Sequence, residues 1–187
     1  MGKVIIFSAP SGSGKTTIVK ELLARYPQLE FSISATSRAP RGKEQNGVDY
    51  YFLSQEEFAQ AVAEERFVEW EEVYKGTCYG TLRSEVERIW AKGHVIVFDV
   101  DVLGGINLKR IFGDEACSIF IMAPSVEELR RRLVARGTDA PEAIERRVAK
   151  AEFELTRAPE FDQVVVNDRL DDAVARACEI LEQFIAR

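Results

Sequence analysis

The stretch Ser8-Ala9-Pro10-Ser11-Gly12-Ser13-Gly14-Lys15-Thr16-Thr17 decides the fold of this chain. It follows the apolar run at residues 4–7, which predicts a buried strand, and it leads into residues 18–23, whose pattern predicts a helix. A glycine-rich turn between a strand and a Gly-Lys-Thr sequence that opens a helix is the context of a phosphate-binding loop. The sequence therefore predicts a nucleotide phosphate site at this turn.

The residue types in the loop suit a phosphate. Gly12 and Gly14 allow the backbone to approach a phosphate closely and to point successive N–H groups at it. The following helix adds free N–H groups and a partial positive charge. Lys15 can reach the terminal phosphates, and the Thr16 hydroxyl can complete the coordination of a Mg²⁺ ion. The strict motif begins with glycine, whereas this chain has Ala9, which fits only if its φ is negative.

Length and composition narrow the class of protein. The chain of 187 residues suits one domain, and its 46% hydrophobic and 30% charged residues are typical of soluble globular proteins. No apolar run is long enough to span a membrane, and a first strand at Val4 leaves no room for a signal peptide, so we expect a cytoplasmic protein. A net charge of -6 argues against a non-specific nucleic-acid binder but not against a nucleotide site. Three widely spaced cysteines favour free thiols over a disulfide or a metal site.

The spacing of apolar runs predicts the fold class. Runs near residues 4, 29, 95, 117 and 163 predict strands, the second of them over 29–34, and helical patterns lie between most of them. This alternation predicts an α/β fold with a parallel five-stranded sheet covered by helices. We expect one domain over 1–187, with a core at 1–34, 93–125 and 156–187, an inserted mixed α/β lobe at 35–92 (the small lobe), and a helical lid at 126–155 (the lid). Ligands of such folds bind at the carboxyl ends of the strands, where Arg38, Asp99 and Asp101 are also expected.

Two serines are predicted to begin helices. Ser54 precedes Glu57 by three residues and Ser125 precedes Glu128 by three, which is the capping-box pattern. The first helix is predicted to run to about Glu65. The second is predicted to be rich in arginine and to stop near residues 136–137, where a glycine follows.

Further motifs occur in order along the chain. They are Ser34-Ala-Thr36-Ser-Arg38-Ala-Pro40-Arg41-Gly42, Asn46-Gly47-Val-Asp49-Tyr50-Tyr-Phe52, Phe67-Val-Glu69-Trp70, Tyr79-Gly80-Thr81, Asp99-Val-Asp101, Arg136-Gly-Thr-Asp139, Arg146-Arg147 and Val166-Asn167-Asp168. With the phosphate loop, they resemble the guanylate kinase family of P-loop nucleoside monophosphate kinases over essentially the whole chain. The resemblance implies Mg²⁺-dependent transfer of a phosphoryl group from ATP to GMP, in purine nucleotide metabolism and GMP recycling. It also implies that the small lobe binds GMP.

The resemblance assigns the ATP side of the site. The residues implied to bind ATP are Ala9, Pro10, Ser11, Gly12, Ser13, Gly14, Lys15, Thr16, Thr17, Arg136 and Asn167. Arg136 and Arg147 match arginines of the family that close over the ATP phosphates, and Asn167 matches a residue near the adenine ring. Asp99 follows a central strand beside the phosphate loop, which favours a role in organising Mg²⁺ through water, together with Thr16. Residues 130–132 are predicted to be solvated helix arginines.

The acceptor phosphate is predicted to lie in the small lobe. Arg38 and Arg41, with the hydroxyls of Ser34 and Tyr50, can bind a phosphate through several charge-assisted hydrogen bonds. An isolated Arg-x-Pro-Arg would be interpreted as a solvated basic loop, but the matching hydroxyls of Ser34 and Tyr50 reverse that interpretation. The resemblance places Tyr79 on the same phosphate.

Glu69 is predicted to select guanine. A carboxylate can accept hydrogen bonds from both the N1–H and the exocyclic amino group of guanine, whereas adenine offers neither donor at these positions. A site built on such bonds can reject the wrong base by about 10⁴-fold or more. The resemblance adds Thr81 and Asp101 to the guanine contacts. Without it, an exposed strand position is an equally good interpretation of Glu69.

The predicted catalytic residues are Lys15, Arg136 and Arg147, which would stabilise charge on the transferring group, and Arg38 and Arg41, which would hold the acceptor in line. Two alternatives remain. An interaction module of the same fold could bind phosphopeptides, but such modules typically lack an intact phosphate loop. A P-loop kinase could act on another small phosphate acceptor, but Glu69, Thr81 and Asp101 argue against it.

Overall fold

The apolar runs form the strands of two sheets in a computed structural model that describes residues 2–137 and 140–187. The strands are β1 (Val4–Ser8), β2 (Leu29–Phe31), β3 (Ala35–Thr36), β4 (Tyr51–Phe52), β5 (Phe67–Tyr74), β6 (Thr77–Leu82), β7 (Val95–Val100), β8 (Ala116–Met122) and β9 (Gln163–Val166). The α-helices are α1 (Lys15–Arg25), α2 (Gln55–Ala63), α3 (Arg83–Ala91), α4 (Val102–Phe112), α5 (Val126–Ala135), α6 (Pro141–Leu155) and α7 (Leu170–Ile185).

The main sheet has the strand order β2-β7-β1-β8-β9, and each neighbouring pair is parallel. The central strand β1 is buried along its whole length. Phe7 of β1 pairs with Asp99 of β7, so the phosphate loop after β1 leaves the sheet beside the carboxyl end of β7. The predicted α/β fold with a five-stranded parallel sheet is confirmed.

Helices cover both faces of this sheet. On one face, Ile18 and Leu22 of α1 pack with α7 against Ile5 and Phe7. On the other face, α3 and α4 pack against the alternate residues of the same strands. Because both faces are buried, the strands are almost continuously apolar, which is the pattern that made them recognisable in the sequence.

A second, smaller sheet has the order β4-β3-β6-β5 and packs against α2 through Phe58. The prediction of one strand over 29–34 is wrong. β2 ends at Phe31, the Ser32 N–H still bonds the Val97 carbonyl of the main sheet at 2.9 Å, and Ala35 already pairs with Gly80 of the second sheet. The alternation of side chains is continuous across this crossing, so the sequence cannot show where the hydrogen-bonding partner changes.

Helices α5 and α6 pack on each other through a separate apolar cluster that includes Leu133 and Val148. Both serine-initiated helices begin where predicted. Ser54 and Glu57 form the complete capping box, and α2 ends at Ala63. Ser125 accepts a hydrogen bond from the Glu128 N–H at 3.1 Å, and α5 ends before Gly137, whose φ is 64°.

The limits of the small lobe and the lid remain predictions. Helix α3, within 35–92, packs on the main sheet through Val86 and Ile89. The three cysteines are free thiols. In the described part of the chain, no helix is both long enough and apolar enough to cross a membrane.

Candidate active site

The phosphate loop has the geometry that its sequence predicts. Helix α1 begins at Lys15, directly after Gly14, and Gly12 and Gly14 have φ values of 92° and 87°, a region that side-chain-bearing residues rarely adopt. Outside glycine, the one described residue with a positive φ is Glu65, so Ala9 meets the condition set by its sequence position.

Asn167 fixes the phosphate loop through a buried hydrogen bond to its backbone. It follows β9, is 6% exposed, and donates from Nδ2 to the Ser13 carbonyl at 2.8 Å. A Cβ atom at Gly14 would lie 2.3 Å from that nitrogen, so Gly14 is required by packing as well as by φ. The side-chain amide is thus bonded to the loop. Its predicted contact with adenine stays a prediction.

A cavity of about 610 Å³ lies over the loop. Its lining comprises the loop residues Ala9, Pro10, Ser11, Gly12, Ser13, Gly14, Lys15, Thr16 and Thr17, the strand end Asp99, Val100 and Asp101, and the lid residues Arg132, Arg136, Arg147, Lys150 and Glu154. The predicted Arg136 and Arg147 therefore line the same cavity as the loop. Arg147 donates to the Ser11 hydroxyl at 3.0 Å, which joins α6 to the loop.

Arg132 was missed by the sequence prediction, which placed it on a solvated face. It donates to the Glu128 carboxylate at 2.7 Å and to the Asn167 carbonyl at 2.9 Å, and it lines the cavity over the phosphate loop. Helical spacing carried a usable signal, because Arg132 lies four residues before Arg136 and shares its face of the helix. Arg130 and Arg131 do not line this cavity: Arg130 pairs with Glu145, and Arg131 shares the Glu128 carboxylate with Arg132.

Asp99 contacts the loop lysine. Lys15 Nζ lies 2.5 Å from Asp99 Oδ1 and donates to the Val100 carbonyl at 2.7 Å. Thr16 also lines the cavity, so a hydroxyl and a carboxylate are available beside the phosphate loop. Within residues 2–137 and 140–187, no cluster of three or more His, Cys, Asp or Glu side chains could hold a metal alone. The hydroxyl of Thr16 and the carboxylate of Asp99 are oxygen donors of the kind that Mg²⁺ takes when phosphates and water complete its shell.

A second cavity, of about 220 Å³, adjoins the first. Its lining residues are Ser34, Tyr50, Glu69, Glu71, Tyr79, Gly80, Asp99, Val100, Asp101 and Gly104. The two cavities share Asp99, Val100 and Asp101 at the carboxyl end of β7. The structure thus brings most of the predicted GMP-binding residues together, directly beside the phosphate loop.

Glu69 lies on β5 at this second cavity, and the buried Thr81 of β6 donates to its carboxylate at 2.8 Å. Burial raises the pKa of Glu69 above its ordinary value, and the nearby carboxylates of Asp101 and Glu71 raise it further, whereas the Thr81 hydrogen bond opposes the shift. Asp101 accepts a hydrogen bond from the Gly104 N–H at 2.8 Å and caps α4. The cavity therefore presents a partly buried carboxylate that accepts a hydrogen bond from one hydroxyl.

Arg38 is held at the edge of the second cavity. It donates to the Tyr79 hydroxyl at 3.0 Å, and its guanidinium lies 4.9 Å from the centre of the Tyr50 ring. Both of its terminal nitrogens bond the Glu44 carboxylate, at 2.7 and 2.8 Å, which lowers the pKa of Glu44 to about 2. Arg41 is exposed, and its backbone N–H bonds the same carboxylate at 2.7 Å. Sequence reasoning missed Glu44, because spacing within a loop does not indicate which side chains meet.

The fold and the site define an α/β P-loop protein with a second ligand cavity beside the phosphate loop. The family model for guanylate kinase matches residues 1–184. A guanylate kinase of Bacteroides fragilis is 57% identical over 183 residues, which cover 98% of this chain and 90% of the relative, and that of Porphyromonas gingivalis is 54% identical with full coverage of both. The crystal structure of guanylate kinase from Anaplasma phagocytophilum superposes with a TM-score of 0.75 at 31% identity, over 97% of this chain and 85% of that one. The chain belongs to the guanylate kinase family.

Proposed function

We infer that this chain is an ATP:GMP phosphotransferase that converts ATP and GMP to ADP and GDP. The observation that carries the inference is the pair of cavities that meet at Asp99, Val100 and Asp101. One cavity is lined by the phosphate loop and suits the donor phosphates. The other is lined by the partly buried Glu69 and by the hydroxyl-bearing residues Ser34, Tyr50 and Tyr79, which suits a nucleoside monophosphate. Membership of the guanylate kinase family supports the same reaction.

Glu69 selects the base. As a carboxylate it accepts the N1–H and the exocyclic amino hydrogen of guanine, and the Thr81 hydroxyl fixes its orientation. With adenine, the carboxylate would receive no hydrogen bond from the base and would keep only that of Thr81, which is costly in a partly buried site. Ser34, Arg38, Arg41, Tyr50 and Tyr79 form the proposed phosphate end of this site, with Asp101 near the base.

Alignment and charge neutralisation account for the catalysis. Phosphoryl transfer passes through a loose transition state, so the protein mainly positions the reactants and stabilises charge. Lys15, Arg136 and Arg147 act on the transferring group, and Arg38 with Arg41 holds the acceptor. The acceptor oxygen is already anionic at neutral pH, since the second pKa of a phosphate monoester is about 6, and no general base is needed.

Thr16 and Asp99, the latter through water, are the residues proposed to hold Mg²⁺. Bound there, Mg²⁺ neutralises charge on the donor phosphates. If Mg²⁺ bound there, Asp99 would face two cations, because its carboxylate also lies 2.5 Å from Lys15 Nζ. Asp99 and the Val100 carbonyl together hold the Lys15 ammonium at the carboxyl end of β7.

An acceptor panel tests the function. ADP release is measured from ATP and Mg²⁺ with GMP, AMP, CMP or UMP, beside a Lys15→Ala variant. We expect rapid turnover with GMP alone and its loss in the variant. Turnover with another acceptor would support the kinase of different specificity. Binding of GMP or of a phosphopeptide without any turnover would support the interaction module instead.

A further inference from the structure

A buried carboxylate lies outside both cavities and has no part in the reaction described above. Glu85 is in the first turn of α3, and its side chain is 1% exposed. Oε1 accepts hydrogen bonds from the Ile33 N–H at 3.0 Å and from Arg88 at 2.8 Å. Oε2 accepts from the Tyr51 hydroxyl at 2.8 Å and from Arg88 at 2.9 Å. A buried charge is tolerated because four hydrogen bonds, two of them from the Arg88 guanidinium, satisfy it.

Two of the donors to Glu85, the Ile33 N–H and the Tyr51 hydroxyl, belong to residues adjacent to the smaller cavity's lining. Ile33 directly precedes Ser34, and Tyr51 directly follows Tyr50; Ser34 and Tyr50 both line the smaller cavity. The two segments are also bonded to each other, because the Tyr51 N–H donates to the Ser34 carbonyl at 2.9 Å. One carboxylate therefore connects two of the segments that present hydroxyls to the smaller cavity, those of Ser34 and Tyr50.

The anchor of this connection is the main sheet. On α3, Val86 and Ile89 follow Glu85 within the next turn and pack against the main sheet. Arg88, which pairs with Glu85, also pairs with Glu30 of β2 in the same sheet. Because α3 is packed on the main sheet, the hydrogen bonds of Glu85 fix the segment where the chain crosses into the second sheet.

We propose that Glu85 is a positioning residue: through the Ile33 N–H and the Tyr51 hydroxyl, it holds Ser34 and Tyr50 where they bind the acceptor phosphate. This inference rests on the proposed GMP site. It concerns the phosphate end of that site alone, because Glu69 and Thr81 are held by pairing between β5 and β6. A loss of positioning should therefore weaken contacts to the phosphate and spare contacts to the base.

Tyr51→Phe removes the hydroxyl by which β4 of the second sheet bonds Glu85, and it leaves Glu85 bonded to Ile33 and Arg88. Calorimetric titration measures the Kd of GMP and of guanosine, which lacks the phosphate, and steady-state assays give KM for GMP and ATP. We expect GMP to bind about tenfold more weakly, in keeping with one lost hydrogen bond to a charged group. The Kd of guanosine and the KM of ATP should stay within about twofold. Glu85→Gln, which keeps the shape, should show the same selective loss.

Tyr26→Phe is the matched control. Its hydroxyl bonds the Glu182 carboxylate at 2.5 Å between the end of α1 and α7, away from both cavities. We expect it to leave both Kd values unchanged. Equal weakening of GMP and guanosine by Tyr51→Phe, or no weakening, would overturn the positioning role and leave the proposed function standing. Wild-type protein that binds neither ligand would overturn the proposed function, and this inference with it.

Discussion

At the scale of single residues, Glu69 carries the choice of base. Glu69→Gln replaces one acceptor oxygen by an amino group, which faces the donors of guanine instead of accepting from them. We expect kcat/KM for GMP to fall about 100-fold or more, with most of the preference over AMP lost, because the discrimination depends on these buried hydrogen bonds. The KM of ATP should be nearly unchanged. Wild-type GMP kinetics in the variant would contradict the assignment.

The raised pKa of Glu69 predicts a pH dependence for the same contact. Burial and the carboxylates of Asp101 and Glu71 raise this pKa, so Glu69 protonates at a higher pH than an ordinary glutamate. Only the ionised form accepts from both guanine donors, and the affinity should therefore decrease as the pH falls through the raised pKa. Titrations with guanosine avoid the ionisation of the GMP phosphate. Glu69→Gln should abolish the acid decrease; a decrease that persists in the variant would assign it to another group.

At the scale of elements, the sequence predicts features whose causes are local. The strand, turn and helix around Lys15 follow from an apolar run and two glycines, and the start of α2 follows from the reciprocal bonds of Ser54 and Glu57. The crossing at Ser32 does not follow in this way. Its side-chain pattern suits either sheet, and the outcome depends on which strand offers the next hydrogen bond.

In the candidate site too, the residues that belong to a local motif could be predicted, and those that depend on tertiary contacts could not. The loop, Glu69 and Ser34 lie where the motifs place them, because each motif carries its own chemistry. Glu44 and Glu85 could not be predicted: Glu44 meets Arg38 through the conformation of their shared loop, and Glu85 on α3 meets Ile33 only in the folded chain. Of the Arg136-Gly-Thr-Asp139 motif, Arg136 lines the larger cavity, and residues 138 and 139 lie outside the described residues.

At the scale of the whole molecule, water is the competing acceptor, and closure of the small lobe and the lid over both nucleotides would exclude it. Two features favour such movement. The first is separate packing: β3–β6 with α2 surround one apolar cluster, and α5 with α6 surround another. The second is that Arg147 of the lid already contacts Ser11 of the phosphate loop. We expect small-angle X-ray scattering to show a smaller radius of gyration with Mg²⁺, GMP and a non-hydrolysable ATP analogue together than with either nucleotide alone. AMP in place of GMP is the control, because it should not fill the site of Glu69. Superimposable profiles of the free and doubly liganded protein would contradict closure, and exclusion of water would then have to come from the cavity walls as they stand.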